Sequence, residues 1–171
     1  MKIVANLPYY ITTPIMMKLL EDRLDIQTIT VMIQKEVADR IIAVPGSKLS
    51  GAITYGVNYY SYAEGIRIVD RTNFIPEPNV DSEVIRLKIR KQPAVNVQNE
   101  KLFFNIIKCS FMQRRKTLIN ALVNANIIEN KEIAKNILQD LDIDVNIRGE
   151  VLTIQDFEKL SNYIENIRTN N

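Results

Sequence analysis

The residue pattern changes period once, around Gln92-Pro93-Ala94, and this change limits what the chain can fold into more than any other feature. Before it, short β-branched runs alternate with amphipathic segments. Lys2-Ile3-Val4-Ala5 reads as a short buried strand, and residues 28–33, 63–70 and 84–90 as three more. Between them, residues 14–23 read as a helix with Ile15, Leu19 and Leu20 inward. Residues 35–43 read as a second helix, ended by Val44-Pro45-Gly46, and residues 49–60 as a third, with Ile53, Val57 and Tyr60 on one side. Strands alternating with helices predict an α/β layer architecture. After the linker the period is helical throughout. Leu102, Phe103, Ile106, Ile107 and Phe111 form one apolar stripe, Leu118, Leu122 and Ala125 another, and Ile133, Ile137, Leu138 and Leu141 a third. A last helix runs from Ile154 through Phe157, Leu160 and Ile164, with Thr153 as N-cap, Asp156 in the N3 acidic position and a frayed tail after Ile167. The expectation is two domains, residues 1–92 and a small all-α domain over residues 97–168. There are no internal repeats.

The chemistry is concentrated in Asn6-Leu7-Pro8-Tyr9, placed at the carboxyl end of the first strand, where open α/β sheets bind ligands. These four residues suit the alkylation of an exocyclic amine on a nucleic-acid base. That nitrogen is a poor nucleophile because its lone pair is drawn into the ring. Two acceptors against its hydrogens localise the lone pair as the nitrogen turns tetrahedral. The Asn6 side-chain oxygen and a backbone carbonyl at Leu7 or Pro8 can supply them, Tyr9 can stack on the base, and Pro8 restrains the turn. An ordinary strand-to-helix turn would also account for four such residues alone. Thr13 is the expected N-cap of the following helix and Pro14 its first residue.

Three further segments stand in order along the chain. They are Gln34-Lys35-Glu36-Val37-Ala38, the run from Phe74-Ile75-Pro76-Glu77-Pro78 to Asn79-Val80-Asp81-Ser82, and Phe111-Met112-Gln113-Arg114-Arg115-Lys116-Thr117-Leu118. With Asn6 to Tyr9 they closely resemble the ribosomal RNA small-subunit adenine dimethyltransferase family, over essentially the whole chain. The resemblance implies a partial Rossmann-like methyltransferase sheet, the last four of seven strands, followed by a small all-α helical domain. It implies S-adenosyl-L-methionine as donor and dimethylation of two adjacent adenosines in 16S ribosomal RNA. Asn6 then polarises the amine and contacts the cofactor, while Phe74 lies opposite Tyr9 and clamps a flipped adenine. Related large-subunit enzymes share the Asn-x-Pro-Tyr chemistry, but Arg114 to Leu118 and Asn79 to Ser82 are more similar to the small-subunit branch. The family's glycine-rich cofactor turn has no counterpart, since Gly46, Gly51, Gly56, Gly65 and Gly149 are dispersed. The chain therefore resembles the family without its amino-terminal cofactor-binding half, and the expectation is a fragment inactive alone. Its truncation surface would leave self-association open. A non-catalytic RNA-binding or ribosome-assembly module is the rival reading.

Composition removes other classes. The chain has no histidine, which excludes a His-based triad and a typical zinc site and suits methyl transfer, whose sulfonium leaving group needs no proton. One cysteine, Cys109, excludes an internal disulfide framework and fits a reducing cytoplasm; no apolar run is long enough to span a bilayer. Net charge is only +2, so its distribution matters more. Arg86, Lys88, Arg90 and Lys91 form one basic cluster, and Lys101, Lys108, Arg114, Arg115 and Lys116 a second without an acidic residue among them. Each can be a solvated face. Together they mark an RNA-backbone footprint at Arg90, Lys91, Lys108, Arg114, Arg115 and Lys116, and the resemblance implies the immature small ribosomal subunit as partner. The last three are expected to open the second helix of the small domain, joining its positive end to cationic side chains. Tyr10 reads as either core or pocket wall, Gln34 as either site lining or helix cap, and Cys109 as packing.

Overall fold

The structure is a computed structural model that describes residues 1–113 and 115–170. Its contacts group the chain into two compact units. The first comprises residues 1–44 and 49–94; the second comprises Pro45–Lys48 together with the chain from Val95 onward. The assignment of Pro45–Lys48 has a local reason. Gly46 takes a left-handed φ of +87°, and a Cβ there would lie 3.1 Å from the Val151 carbonyl oxygen, so only glycine permits this close approach.

The first unit is a four-stranded mixed sheet. Strands β1 (Lys2–Asn6), β2 (Thr28–Gln34), β3 (Ser61–Val69) and β4 (Ser82–Ile89) lie in the order β1-β2-β4-β3. β1 and β2 are parallel, which requires the crossover through α1 (Thr12–Glu21), and β4 is antiparallel to both its neighbours. Helices α2 (Lys35–Ile42) and α3 (Ala52–Tyr60) pack with β3 and against each other. Ile29, Val31 and Ile33 of β2 share a buried face with Ile85 and Leu87 of β4. Alternate residues of β2 are only half-buried, as the period of two requires.

Several expectations change. β1 is not a buried strand: it is an edge of the described sheet, its residues alternate exposed and half-buried, and Val4 is 82% exposed. Its apolar sequence reported β-propensity, and burial did not follow. Helix α1 begins at Thr12 rather than Pro14, because a 3₁₀ turn over Tyr9–Ile11 runs straight into it. Thr13 is then no N-cap; the N-cap position is Ile11, with no side-chain cap bond. The inward residues of α1 are Thr12, Met16 and Leu20, with Ile15 and Leu19 half-buried. Helix α3 starts three residues later than its apolar pattern, where Gly51 takes an extended conformation and its N–H donates to Thr54 Oγ1 at 2.8 Å.

The second unit contains α4 (Glu100–Met112), α5 (Leu118–Asn124), α6 (Lys131–Asp140) and α7 (Ile154–Thr169). Asn99 and Asn130 cap α4 and α6, and Thr153 with Asp156 forms a reciprocal capping box on α7. Phe103, Ile106, Leu118, Leu122, Leu138, Phe157 and Leu160 are fully buried, each such side chain stabilising by about 1.5–3 kcal/mol relative to exposure. The segment after Val95 lies along α7: the Asn96 and Gln98 N–H groups donate to Glu158 Oε1 and Asn162 Oδ1 at 2.8 and 2.9 Å. Ala125 and Ile133, expected in the apolar stripes, are exposed; Ala121 and Ala134 take the inward positions. α7 continues to Thr169, past the expected fraying point, with Arg168 donating to the Ile127 carbonyl at 2.7 Å.

Candidate active site

The strand directions bring separate sequence segments to one end of the sheet. β1, β2 and β3 end there, and β4 begins there, with Ser82 paired to Gln34 on one side and Val69 on the other. Asn6 to Tyr9, Gln34-Lys35 and the loop from Asp70 to Asp81 therefore meet at the same sheet end. Asn6 closes β1 with its side chain exposed and unbonded among the described residues.

The turn itself distinguishes two backbone acceptors. The Pro8 carbonyl accepts from the Ile11 N–H at 3.2 Å and from Thr12 Oγ1 at 3.1 Å. The Leu7 carbonyl accepts nothing from the described residues, although the Leu7 side chain is buried. Pro8 thus uses its oxygen to fold the turn, and Leu7 keeps an acceptor beside the Asn6 amide. Tyr9 is half-buried, and its hydroxyl shares a hydrogen bond with the fully buried Ser82 Oγ at 2.8 Å. Tyr10 is 85% exposed, which removes the core reading.

Phe74 stands on the opposite segment. Its loop is tied at several points: the Asp70 carboxylate accepts from the N–H and hydroxyl of Thr72, which hold its pKa below the ordinary carboxylate value, the hydroxyl bond being the larger cause. Asp81 Oδ1 accepts from the Arg71 N–H at 3.0 Å, its carbonyl accepts from the Lys35 N–H at 3.0 Å, and Arg71 pairs with Glu77 at 3.1 Å. The Ile75–Pro76 peptide is cis. Phe74 is half-buried and makes no ring contact with Tyr9. Gln34 occupies the N-cap position of α2 without a side-chain cap bond, so the capping reading fails.

One feature of this end was missed in the sequence. Glu83 is a buried carboxylate next to Ser82, with Lys35 Nζ at 3.8 Å from its Oε2; the same ammonium donates to Asp39 Oδ1 at 2.6 Å. The bond to Asp39 is the main reason the Lys35 pKa is raised. Gly65 makes room for Glu83: a Cβ there would stand 2.4 Å from Oε1. An acidic residue at an inward position of the Glu83, Ile85, Leu87 alternation was the available signal.

Of the six cations, Arg90 and Lys91 lie in the first unit and Lys108, Arg115 and Lys116 in the second. Arg90 follows β4 at the opposite end of the sheet from Ser82, about 25 Å along the strand at the usual rise. Its Nε donates to the Asn58 and Ser61 carbonyls at 3.1 and 3.2 Å, and its guanidinium lies 3.5 Å from the Tyr62 ring centroid. Arg86 and Lys88 both pair with Glu64. Lys91 is exposed beside Arg90 in a groove with Gln27 and Ile89. Lys108 is exposed on α4. Arg115 and Lys116 are exposed too, but lie in the turn before α5, which opens at Leu118; Arg114 lies outside the described residues. The expectation that this run begins a helix is therefore corrected, the Lys116 N–H closing a turn onto the Gln113 carbonyl. Cys109 is buried on α4, and that burial pushes its thiol up to about 11.

An α/β sheet with Asn-Leu-Pro-Tyr and the Phe74 loop at the same end has the architecture of a Rossmann-like methyltransferase. Solved structures agree: the chain is similar to a dimethyladenosine transferase from Plasmodium falciparum, with a TM-score of 0.76 and 25% identity, covering 93% of this chain and 64% of that one. The fold is also that of the 23S rRNA methyltransferase ErmE, at a TM-score of 0.65 and 20% identity, over 96% and 65% of the two chains. More narrowly, the chain belongs to the ribosomal RNA adenine dimethylase family, whose model matches residues 1–166. It is 53% identical over 167 residues to a ribosomal RNA small subunit methyltransferase A from Geobacillus sp. (strain WCH70), covering 96% of this chain and 57% of that protein. A protein of the same description from Anoxybacillus flavithermus is 55% identical over 161 residues, covering 93% and 55%. The chain thus spans somewhat over half the length of the curated relatives it matches.

Proposed function

We propose that this chain carries the base-binding side of an S-adenosylmethionine-dependent enzyme that dimethylates the exocyclic amines of two adjacent adenosines in small-subunit ribosomal RNA. The observation that carries the reading is the pairing of an exposed Asn6 amide with an unused Leu7 carbonyl at the sheet end that also holds Tyr9 and Phe74. Both oxygens can accept from the target amine, Leu7 in preference to Pro8, whose carbonyl is occupied. As the amine turns tetrahedral these acceptors hold its hydrogens, and its lone pair is directed away from the ring. Tyr9 and Phe74 stack on the two faces of the extruded base. S-adenosylmethionine, when bound, supplies the electrophilic methyl group.

The residues present fit the donor only in part. The exposed amide of Asn6 suits one contact. No glycine here lies in a strand-to-helix turn at this sheet end, and Asp70 and Asp81 are engaged within their own loop. Residues 1–171 by themselves are accordingly proposed to be inactive. Lys91, Lys108, Arg114, Arg115 and Lys116 are proposed to meet RNA phosphates, with Arg90 bracing the first unit beside them in sequence.

The test is methylation of unmethylated small ribosomal subunits by the full-length gene product. Asn6→Ala removes an acceptor needed in the transition state, so the single-turnover rate should fall on the order of a hundredfold or more. Turnover near that of the unsubstituted protein would remove Asn6 from the mechanism. A product other than dimethyladenosine would overturn the assignment of the reaction.

A further inference from the structure

We propose that Ser82 is a positioning residue for base capture, its hydroxyl holding the far end of the Tyr9 ring in place; this rests on the reading of Tyr9 as a stacking residue. The two residues are 73 positions apart in sequence, yet Tyr9 Oη and Ser82 Oγ lie 2.8 Å apart. Ser82 is fully buried and is the first residue of β4, paired with Gln34 and Val69 on its two sides. The preceding residue is tied as well, Asp81 accepting from the Lys35 N–H through its carbonyl and from the Arg71 N–H through Oδ1. The anchor is therefore rigid, while the ring it holds is half-buried.

The consequence follows from the torsions of a tyrosine. Its ring turns about two side-chain bonds; Oη lies on the axis of the second, so a hydrogen bond there restrains the swing about the first and with it where the ring lies. A ring already held in one place loses less entropy when a base stacks on it, so binding improves with no added interaction to the base. Since β4 starts where the Phe74 loop ends, the same anchor sets the Tyr9 ring relative to the segment bearing the second aromatic. A buried serine hydroxyl needs some partner in any case. The experiment must therefore separate positioning from simple satisfaction of a strand end.

The experiment is a double-substitution cycle in the full-length gene product, with steady-state methylation of unmethylated small subunits as readout. Tyr9→Phe and Ser82→Ala each remove the same neutral hydrogen bond. Each should raise the KM for the RNA substrate about fivefold, with a smaller change in kcat, and the double variant should be no worse than either single one. Multiplying effects in the double variant, or an effect on kcat alone, would overturn the proposal. Should Ser82→Ala fail to fold, as a thermal melt would show, Tyr9→Phe decides, since it breaks the bond and leaves Ser82 in place; an unchanged KM then refutes positioning. Tyr9→Ala separates stacking from positioning. If it too leaves KM unchanged, the stacking role itself falls; if it alone raises KM, stacking stands and the role of Ser82 falls.

Discussion

At Gly149 the decisive quantity is the space for one carbon atom. A Cβ built there would stand 2.3 Å from Ser110 Cβ and 2.8 Å from its hydroxyl, which donates to the Ile106 carbonyl inside α4. Gly149→Ala should therefore force the 3₁₀ turn over Gly149–Val151 away from α4 and destabilise the protein by about 1–3 kcal/mol, the usual range for overpacking. Urea unfolding checks it, and an unchanged midpoint would show that the turn yields freely. The glycine was visible in the sequence only as one of five dispersed glycines, because its constraint comes from a helix 39 positions away and not from its own φ. The same limit applied to the turn after β1. Asn6, Tyr9 and Phe74 were named from residue type and order, but which carbonyl stays unbonded depended on the 3₁₀ turn and on Thr12, and residue type carries neither. Ser82 was likewise part of a motif without a role until its partner was seen.

Elements were legible where one local signal sufficed. The capping box at Thr153 and Asp156 fixed the start of α7, and the β-branched run fixed β2. Boundaries were missed where tertiary bonds compete with the pattern. α1 starts two residues early because Pro8 and Thr12 close a turn ahead of it, and α3 lost three because Gly51 and Thr54 cap it internally, Thr54 Oγ1 also donating to the Arg40 carbonyl at 2.6 Å. β1 shows a different failure. Its composition is that of a strand with both faces covered, but nothing in five residues states what packs on either face. The basic run before α5 was misplaced because arginine and lysine are good helix formers, whereas the chain there makes a turn and α5 begins only after Thr117.

On the scale of the whole chain, base recognition, phosphate binding and donor binding make separate demands, and residues 1–171 should meet them unequally. Phosphate binding needs only exposed cations. Replacing Lys108, Arg115 and Lys116 together by alanine should weaken binding to a small-subunit RNA fragment and reduce the log–log salt slope by roughly 0.7–1 for each phosphate no longer neutralised. An unchanged slope would make these cations a solvated face. Arg90 should behave differently, since its Nε is committed to two carbonyls; for that reason it is left out of the triple variant. Donor binding needs more than this chain offers at its strand ends. Sites of open α/β sheets are assembled from loops on both sides of a topological switch point. Here β1 is an edge of the described sheet, so only the loops of β1 through β4 contribute, and what they present to such a ligand is the unbonded side-chain amides of Asn6, Gln34 and Asn79. A few side-chain amides offset little of the cost of immobilising a ligand of that size. Calorimetric titration of residues 1–171 with S-adenosylmethionine should accordingly give no saturable heat at micromolar concentrations, while the same preparation still binds RNA. Micromolar donor binding would mean that these four strands hold a usable cofactor site, and the proposed division of labour between base-binding and donor-binding segments would be wrong.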